Sequence, residues 1–131
     1  RDNLTRQIAE HGLESLIRLP GWAENPYAWM AGSALCVLPS EFEGLPNTLI
    51  EAMACGLPVA AFPVTGPIDV VQDGVSGVVN KDLRAACLQA VELPQAGVLE
   101  HARTFTWERT TDILLETLVA IDREQLASKS N

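Results

Sequence analysis

The residues of this chain best placed to do chemistry are two carboxylates, Glu43 and Glu51, spaced E-x7-E around a glycine, a proline and two small polar residues. They lie in Ser40-Glu41-Phe42-Glu43-Gly44-Leu45-Pro46-Asn47-Thr48-Leu49-Ile50-Glu51-Ala52-Met53-Ala54-Cys55-Gly56-Leu57-Pro58-Val59. Pro46 suits an early helical position, where its missing N–H costs nothing. A helix is therefore expected over Pro46–Cys55, capped by Gly56. The first N–H groups of a helix lack intrahelical partners and sit at the positive end of its dipole. The N–H groups of Asn47 and Thr48 are accordingly expected to be free for an anion such as a pyrophosphate. Gly44 removes a side chain where backbone must come close to a ligand.

The carboxylates divide the work. Glu43 stands in the loop ahead of the helix and Glu51 about one turn inside it, so at ~1.5 Å per residue they are roughly 10 Å apart. That reach suits a sugar hydroxyl at one end and a ribose at the other. It is too wide for the carboxylate pair of a retaining glycosidase, which stands about 5 Å apart. Glu43 is expected to be the catalytic residue of the site, but that separation does not make it a nucleophile.

These residues need a scaffold, and the flanking sequence repeats one grammar. Residues 4–11 read as a helix ended by Gly12 in the left-handed conformation, and Leu16-Ile17-Arg18-Leu19 reads as a short strand stopped by Pro20-Gly21. Asn25-Pro26 opens a helix through Ala31, and Ala34–Leu38 follows as a buried strand closed by Pro39-Ser40. After the Pro46–Cys55 helix come a strand over Pro58–Phe62, a short helix over Gly66–Gln72, turns at Asp73-Gly74 and Ser76-Gly77, and Val78-Val79. Helices over 82–92 and about 95–103 precede a last one N-capped by Thr106, with Trp107, Leu114, Leu118 and Ile121 in one stripe read as core packing. Strands alternating with helices imply an α/β, Rossmann-like parallel sheet with helices on both faces. The active stretch then lies at the carboxyl end of a strand, where open α/β sheets bind ligands.

Several residues have local explanations. His11 reads as a helix-end cap, His101 as a surface helix residue, and Met53 and Cys55 as core-facing. Asp69 reads first as a cap for the helix near Gly66. Trp22 either packs under the sheet edge or flanks a base.

The 131 residues fit a single domain, 1–131, with a tail over 122–131 expected to fray. At 47% hydrophobic and 20% charged residues the composition is that of an ordinary globular protein. A net charge of −8 opposes attraction to nucleic acid or anionic lipid. Cys36, Cys55 and Cys87 are odd in number and lack zinc-site spacing, which fits a reducing cytosol and no metal. No apolar run reaches the roughly twenty residues of a membrane span. Arg1-Asp2-Asn3-Leu4-Thr5 does not resemble a signal peptide, and a first residue other than Met fits a piece of a longer chain.

Glu43-Gly44-Leu45-Pro46-Asn47 followed by Glu51–Val59 resembles the E-x7-E signature of retaining glycosyltransferases of family 4, which have the GT-B fold. Leu19-Pro20-Gly21-Trp22, Val37-Leu38-Pro39-Ser40, Gly66-Pro67-Ile68-Asp69-Val70-Val71 and Asp73-Gly74-Val75-Ser76-Gly77 resemble the family's other C-terminal-domain landmarks, in order. The resemblance implies a GT-B C-terminal domain without its first strands, in a hexosyltransferase using a UDP- or GDP-sugar with retention of configuration and no cofactor or metal. It implies that Glu43 binds sugar hydroxyls, Glu51 the ribose, and main-chain groups of Gly44, Leu45, Pro46, Asn47 and Thr48 the sugar and diphosphate. It brings the Gly21-Trp22 loop towards the base. The family has Glu where this chain has Asp69, and its diphosphate-binding Arg and Lys and its acceptor domain precede Arg1. The donor half alone is therefore expected to be inactive, and its exposed sheet edge to favour self-association. The full-length enzyme is expected in the cytoplasm or at the inner face of the membrane, making a bacterial glycan on a glycan or lipid-linked acceptor. Two alternatives stand beside this one: a non-catalytic nucleotide-sugar-binding module completed by a partner chain, and a GT-B nucleotide-sugar epimerase.

Overall fold

The computed structural model describes residues 1–118; Ile121 and the 122–131 tail lie outside the described residues. The elements run α1 (Asp2–Glu10), α2 (Pro26–Ala31), β1 (Cys36–Leu38), α3 (Asn47–Ala54), β2 (Val59–Ala61), α4 (Pro67–Val70), β3 (Gly77–Val79), α5 (Leu83–Ala90), α6 (Gln95–Ala102) and α7 (Trp107–Thr117). The strands form a parallel sheet in the order β1-β2-β3, with Cys36 opposite Val59 and Val59 opposite Gly77.

Burial on both faces of β2 sets the layering. Successive side chains of a strand point to opposite sides. Val59 and Ala61 join Leu49, Ala52 and Met53 of α3 and Val98 and Ala102 of α6 in one cluster. Ala60 faces the other way and packs with Val78 and with Ala86 and Ala90 of α5. Helices thus cover both faces, as the alternating pattern implies.

Local signals hold where they are strongest. The Asn25 carboxamide accepts the Ala28 N–H at 3.3 Å, and the carboxylate of Asp82 accepts the Ala85 N–H at 3.0 Å, so both side chains satisfy orphan donors at helix starts. Gly12 and Gly56 close α1 and α3 at φ 64° and 76°. His11 caps α1 through a 2.8 Å bond between its ring Nδ1 and the Gln7 carbonyl.

Three expectations of the fold fail. Leu16–Leu19 forms no strand: the Leu16 and Ile17 N–H groups donate to the Leu13 carbonyl at 3.0 and 2.9 Å, and the Leu19 carbonyl accepts from Arg1 at 2.6 Å. Turn bonds and a side chain have taken the groups a ladder would use, and Leu16 is left 78% exposed. Thr106 does cap α7, accepting from the Arg109 N–H at 3.2 Å, but the expected core stripe is not core. Trp107 is 85% exposed and Leu114 and Leu118 are more than half exposed, because no other described element covers that face. His101 is also more than a surface residue: it is half-buried, bonded through Nε2 to the Val70 carbonyl at 3.0 Å and edge-on to Phe105.

Candidate functional site

The loops that leave the carboxyl ends of β1 and β2 face each other across an open cleft of about 680 Å³. One wall is Glu41, Phe42, Glu43 and Gly44, and the other is Pro63, Val64, Thr65 and Ile68. Its volume falls within the range of small-molecule sites. Glu43 is half-buried there while the Phe42 ring is 91% exposed. A smaller hollow of about 260 Å³ continues past Glu41, Phe62, Pro63 and Val64 to Lys81, just beyond β3.

The two walls meet at Gly66. Its φ of 93° belongs to the left-handed region that side chains disfavour. A Cβ there would be driven into the Gly44 carbonyl oxygen and lie 3.1 Å from both Glu43 Cβ and Pro46 Cδ. The Gly66 N–H donates to Asp69 Oδ2 at 3.1 Å, and the Gly66 carbonyl accepts from the Asp69 and Val70 N–H groups at 3.0 and 3.1 Å. Asp69 is thus the cap that its position in the sequence indicated.

At the start of α3 the geometry differs by one residue from expectation. Pro46 is the N-cap, with φ −79° and ψ 75°, rather than a residue inside the helix. Its carbonyl accepts from Leu49 and Ile50, and the Asn47 N–H, expected to be free, donates to the Leu45 carbonyl at 2.9 Å. The tight turn at Pro46 consumes that donor. The Thr48 N–H makes no hydrogen bond among the described residues.

Glu51 does not line the cleft. It is half-buried within α3, and its Oε1 accepts a long 3.4 Å bond from the Tyr27 hydroxyl of α2. At that length the bond is weak and leaves the carboxylate open to a better donor. Trp22 is 93% exposed, which removes the reading that packs it under the sheet edge. Met53 is fully buried, but Cys55 is only half-buried and lies outside the core cluster. The structure therefore joins Glu43 and Gly44 in one cleft, leaves Leu45 and Pro46 outside its lining, and carries Thr48 and Glu51 on the adjoining helix. Tyr27, Lys81 and the Pro63–Thr65 part of the wall carry no motif in the sequence, whereas Ile68 belongs to the Gly66–Val71 landmark. No group of three or more His, Cys, Asp or Glu among the described residues is placed to hold a metal ion. No helix there is long and apolar enough to cross a membrane.

Known proteins agree with this architecture. The chain is 41% identical over 102 residues to the D-inositol 3-phosphate glycosyltransferase of Geodermatophilus obscurus, covering 72% of this chain and 23% of that protein. HepE of Anabaena, solved in complex with UDP, matches with a TM-score of 0.75 at 22% identity over 89% of this chain and 36% of HepE; it has also been solved with UDP-glucose. The pneumococcal O-GlcNAc transferase GtfA, solved with UDP and GlcNAc, matches with a TM-score of 0.69 at 24% identity over 87% of this chain and 27% of GtfA. The chain thus spans about a quarter to a third of each of these proteins. The structural likenesses show the fold, an α/β Rossmann-like layer of GT-B type. The sequence model of the family described as glycosyl transferases group 1 matches residues 1–93, well over half of the chain, and the chain belongs to that family.

Proposed function

We propose that this chain is the donor-binding part of a retaining glycosyltransferase of family 4, and that it takes a nucleoside diphosphate sugar with uracil as its base. The observation that carries this reading is the cleft at the carboxyl edge of the sheet, which sets Glu43 and Gly44 directly ahead of the α3 N-terminus. The cleft's titratable lining is acidic, Glu41 and Glu43, so it suits neutral sugar hydroxyls better than phosphates. The diphosphate then belongs beside the cleft, against the unpaired Thr48 N–H and the main-chain N–H groups of Gly44 and Leu45, where the helix dipole favours negative charge. Glu51, one turn further on, accepts the ribose hydroxyls in place of Tyr27. The exposed Trp22 flanks the base.

In this reading the bond between the anomeric carbon and the diphosphate breaks as the acceptor hydroxyl attacks from the same face. The protein's part is to orient the sugar and stabilise the departing charge without a metal or cofactor. The acceptor, a glycan or a lipid-linked one, is held by a separate domain, and the work is done in the cytoplasm. Uracil is supported by HepE and GtfA, both solved with UDP.

Thermal unfolding of the chain with UDP, GDP, ADP and UDP-sugars tests the proposal. A ligand at a hundred times its dissociation constant stabilises by about 2.7 kcal/mol. UDP and a UDP-sugar should raise the midpoint more than GDP or ADP. Equal shifts for all three bases, or none at millimolar concentration, would sink it.

A further inference from the structure

We propose that Gly66 and Asp69 are positioning residues that set the place of the Glu43 carboxylate, Asp69 acting through Gly66 and the 43–46 loop without touching the ligand. The inference rests on the reading of Glu43 as the sugar-binding carboxylate. Three observations carry it. Gly66 is buried with φ 93°, and the space its Cβ would fill is taken by Gly44, Glu43 and Pro46. The loop bearing Glu43 therefore rests directly on the Gly66 α-carbon. Asp69 Oδ2 holds the Gly66 N–H at 3.1 Å, and the Gly66 carbonyl returns bonds to Asp69 and Val70, so the carboxylate fixes the peptide on which the loop sits. Finally, the flanking residues Val64, Thr65 and Ile68 form the opposite wall of the cleft, whereas Asp69 itself does not line it. Both walls are thereby referred to one peptide, and the width of the cleft is set at that contact.

This role separates shape from charge. Asp69→Asn keeps an oxygen able to accept the Gly66 N–H and removes the charge, whereas Asp69→Ala removes the acceptor. Gly66→Ala adds the forbidden Cβ. A displaced carboxylate loses sugar contacts steeply with distance. Gly66→Ala should therefore weaken binding of the best-bound UDP-sugar by about ten-fold and of UDP by about two-fold or less, and Asp69→Ala should weaken the UDP-sugar about three-fold. Asp69→Asn should bind both like the unaltered chain.

The experiment has two arms. Without ligand, amide resonances of Glu43 and Gly44 are compared by NMR in the unaltered chain, Asp69→Ala and Asp69→Asn. Movement in the alanine variant alone is the expected result, and unmoved resonances in Asp69→Ala overturn the link. With ligand, dissociation constants for UDP and for a panel of UDP-sugars are measured in the same proteins and in Gly66→Ala. Equal losses for UDP and UDP-sugar, or an Asp69→Asn variant as impaired as Asp69→Ala, overturn positioning and make Asp69 a general structural or a charged ligand contact. Should Gly66→Ala fail to fold, the Asp69 pair decides alone. If the unaltered chain binds no uridine nucleotide while the ligand-free arm behaves as expected, the donor-binding reading fails and the mechanical link between Asp69 and the loop stands.

Discussion

Around β2 the side chains are sealed: Ala60, Ala86 and Ala90 are fully buried on one face, and Ala61, Leu49, Met53 and Val98 on the other. In α1 and α7 the apolar side chains are large and wet, and neither helix buries a single residue. Both regions carry helical periodicity, so amphipathicity alone does not distinguish them. What separates them is whether another element arrives to cover the stripe. The central unit carries its own cover in α3, α5 and α6, whereas the stripe of α7 presents Trp107 and Leu114 to solvent among the described residues.

The sharpest way to break this contrast is to delete the same kind of side chain in each region. Met53→Ala opens a cavity in a sealed core and should cost about 2–5 kcal/mol in urea unfolding. Leu114→Ala should cost less than about 0.5 kcal/mol. Comparable losses would show that α7 is packed in solution.

A smaller effect comes from the caps. Asp82→Ala removes the acceptor for Ala85 on a helix packed against the sheet and should lower global stability by about 0.5–2 kcal/mol. Thr106→Ala removes an equivalent bond at α7, yet should leave the unfolding midpoint in place and only hasten amide exchange within α7. A midpoint shift equal to that of Asp82→Ala would merge the two regions into one cooperative unit.

The smallest effect is a pH dependence at the sheet's edge. Burial pushes the Cys36 thiol above its ordinary range, so the folded chain keeps that proton at a pH where the unfolded chain has lost it. The stabilisation this brings is complete below the ordinary thiol value and fades as the pH climbs through the raised one. Cys36→Ala should therefore show a flatter loss of stability on the alkaline side than the unaltered chain. Identical alkaline slopes in the two proteins would mean that the strand edge is as wet as α7.

Much of the scaffold was legible because its signals are local. Asn25-Pro26 marks the start of α2 and Thr106 that of α7, since a capping side chain acts within three residues of itself. The misread strand over Leu16–Leu19 has the right composition, but nothing within it says whether a ladder partner exists. The same blindness made Trp107 look buried. At the site, Glu43 and Gly44 were legible from one continuous motif, but the facing wall at Pro63–Ile68 follows some twenty residues later and shares no pattern with it. The Asn47 N–H escaped for a subtler reason: placing Pro46 one position further out converts a free donor into half of a tight turn.

The bare α-carbon at Gly66 has a consequence for inheritance. Because that atom is the floor beneath Gly44 and Pro46, positions 66 and 43–46 do not accept changes independently. A side chain at 66 is tolerable only where the 43–46 loop has moved and the backbone at 66 has left its φ of 93°. Substitutions at the two places are thus expected to be strongly non-additive, as groups in direct contact are. Divergence in the shape of this cleft would then proceed by paired steps across the two loops, in which the order of the changes matters.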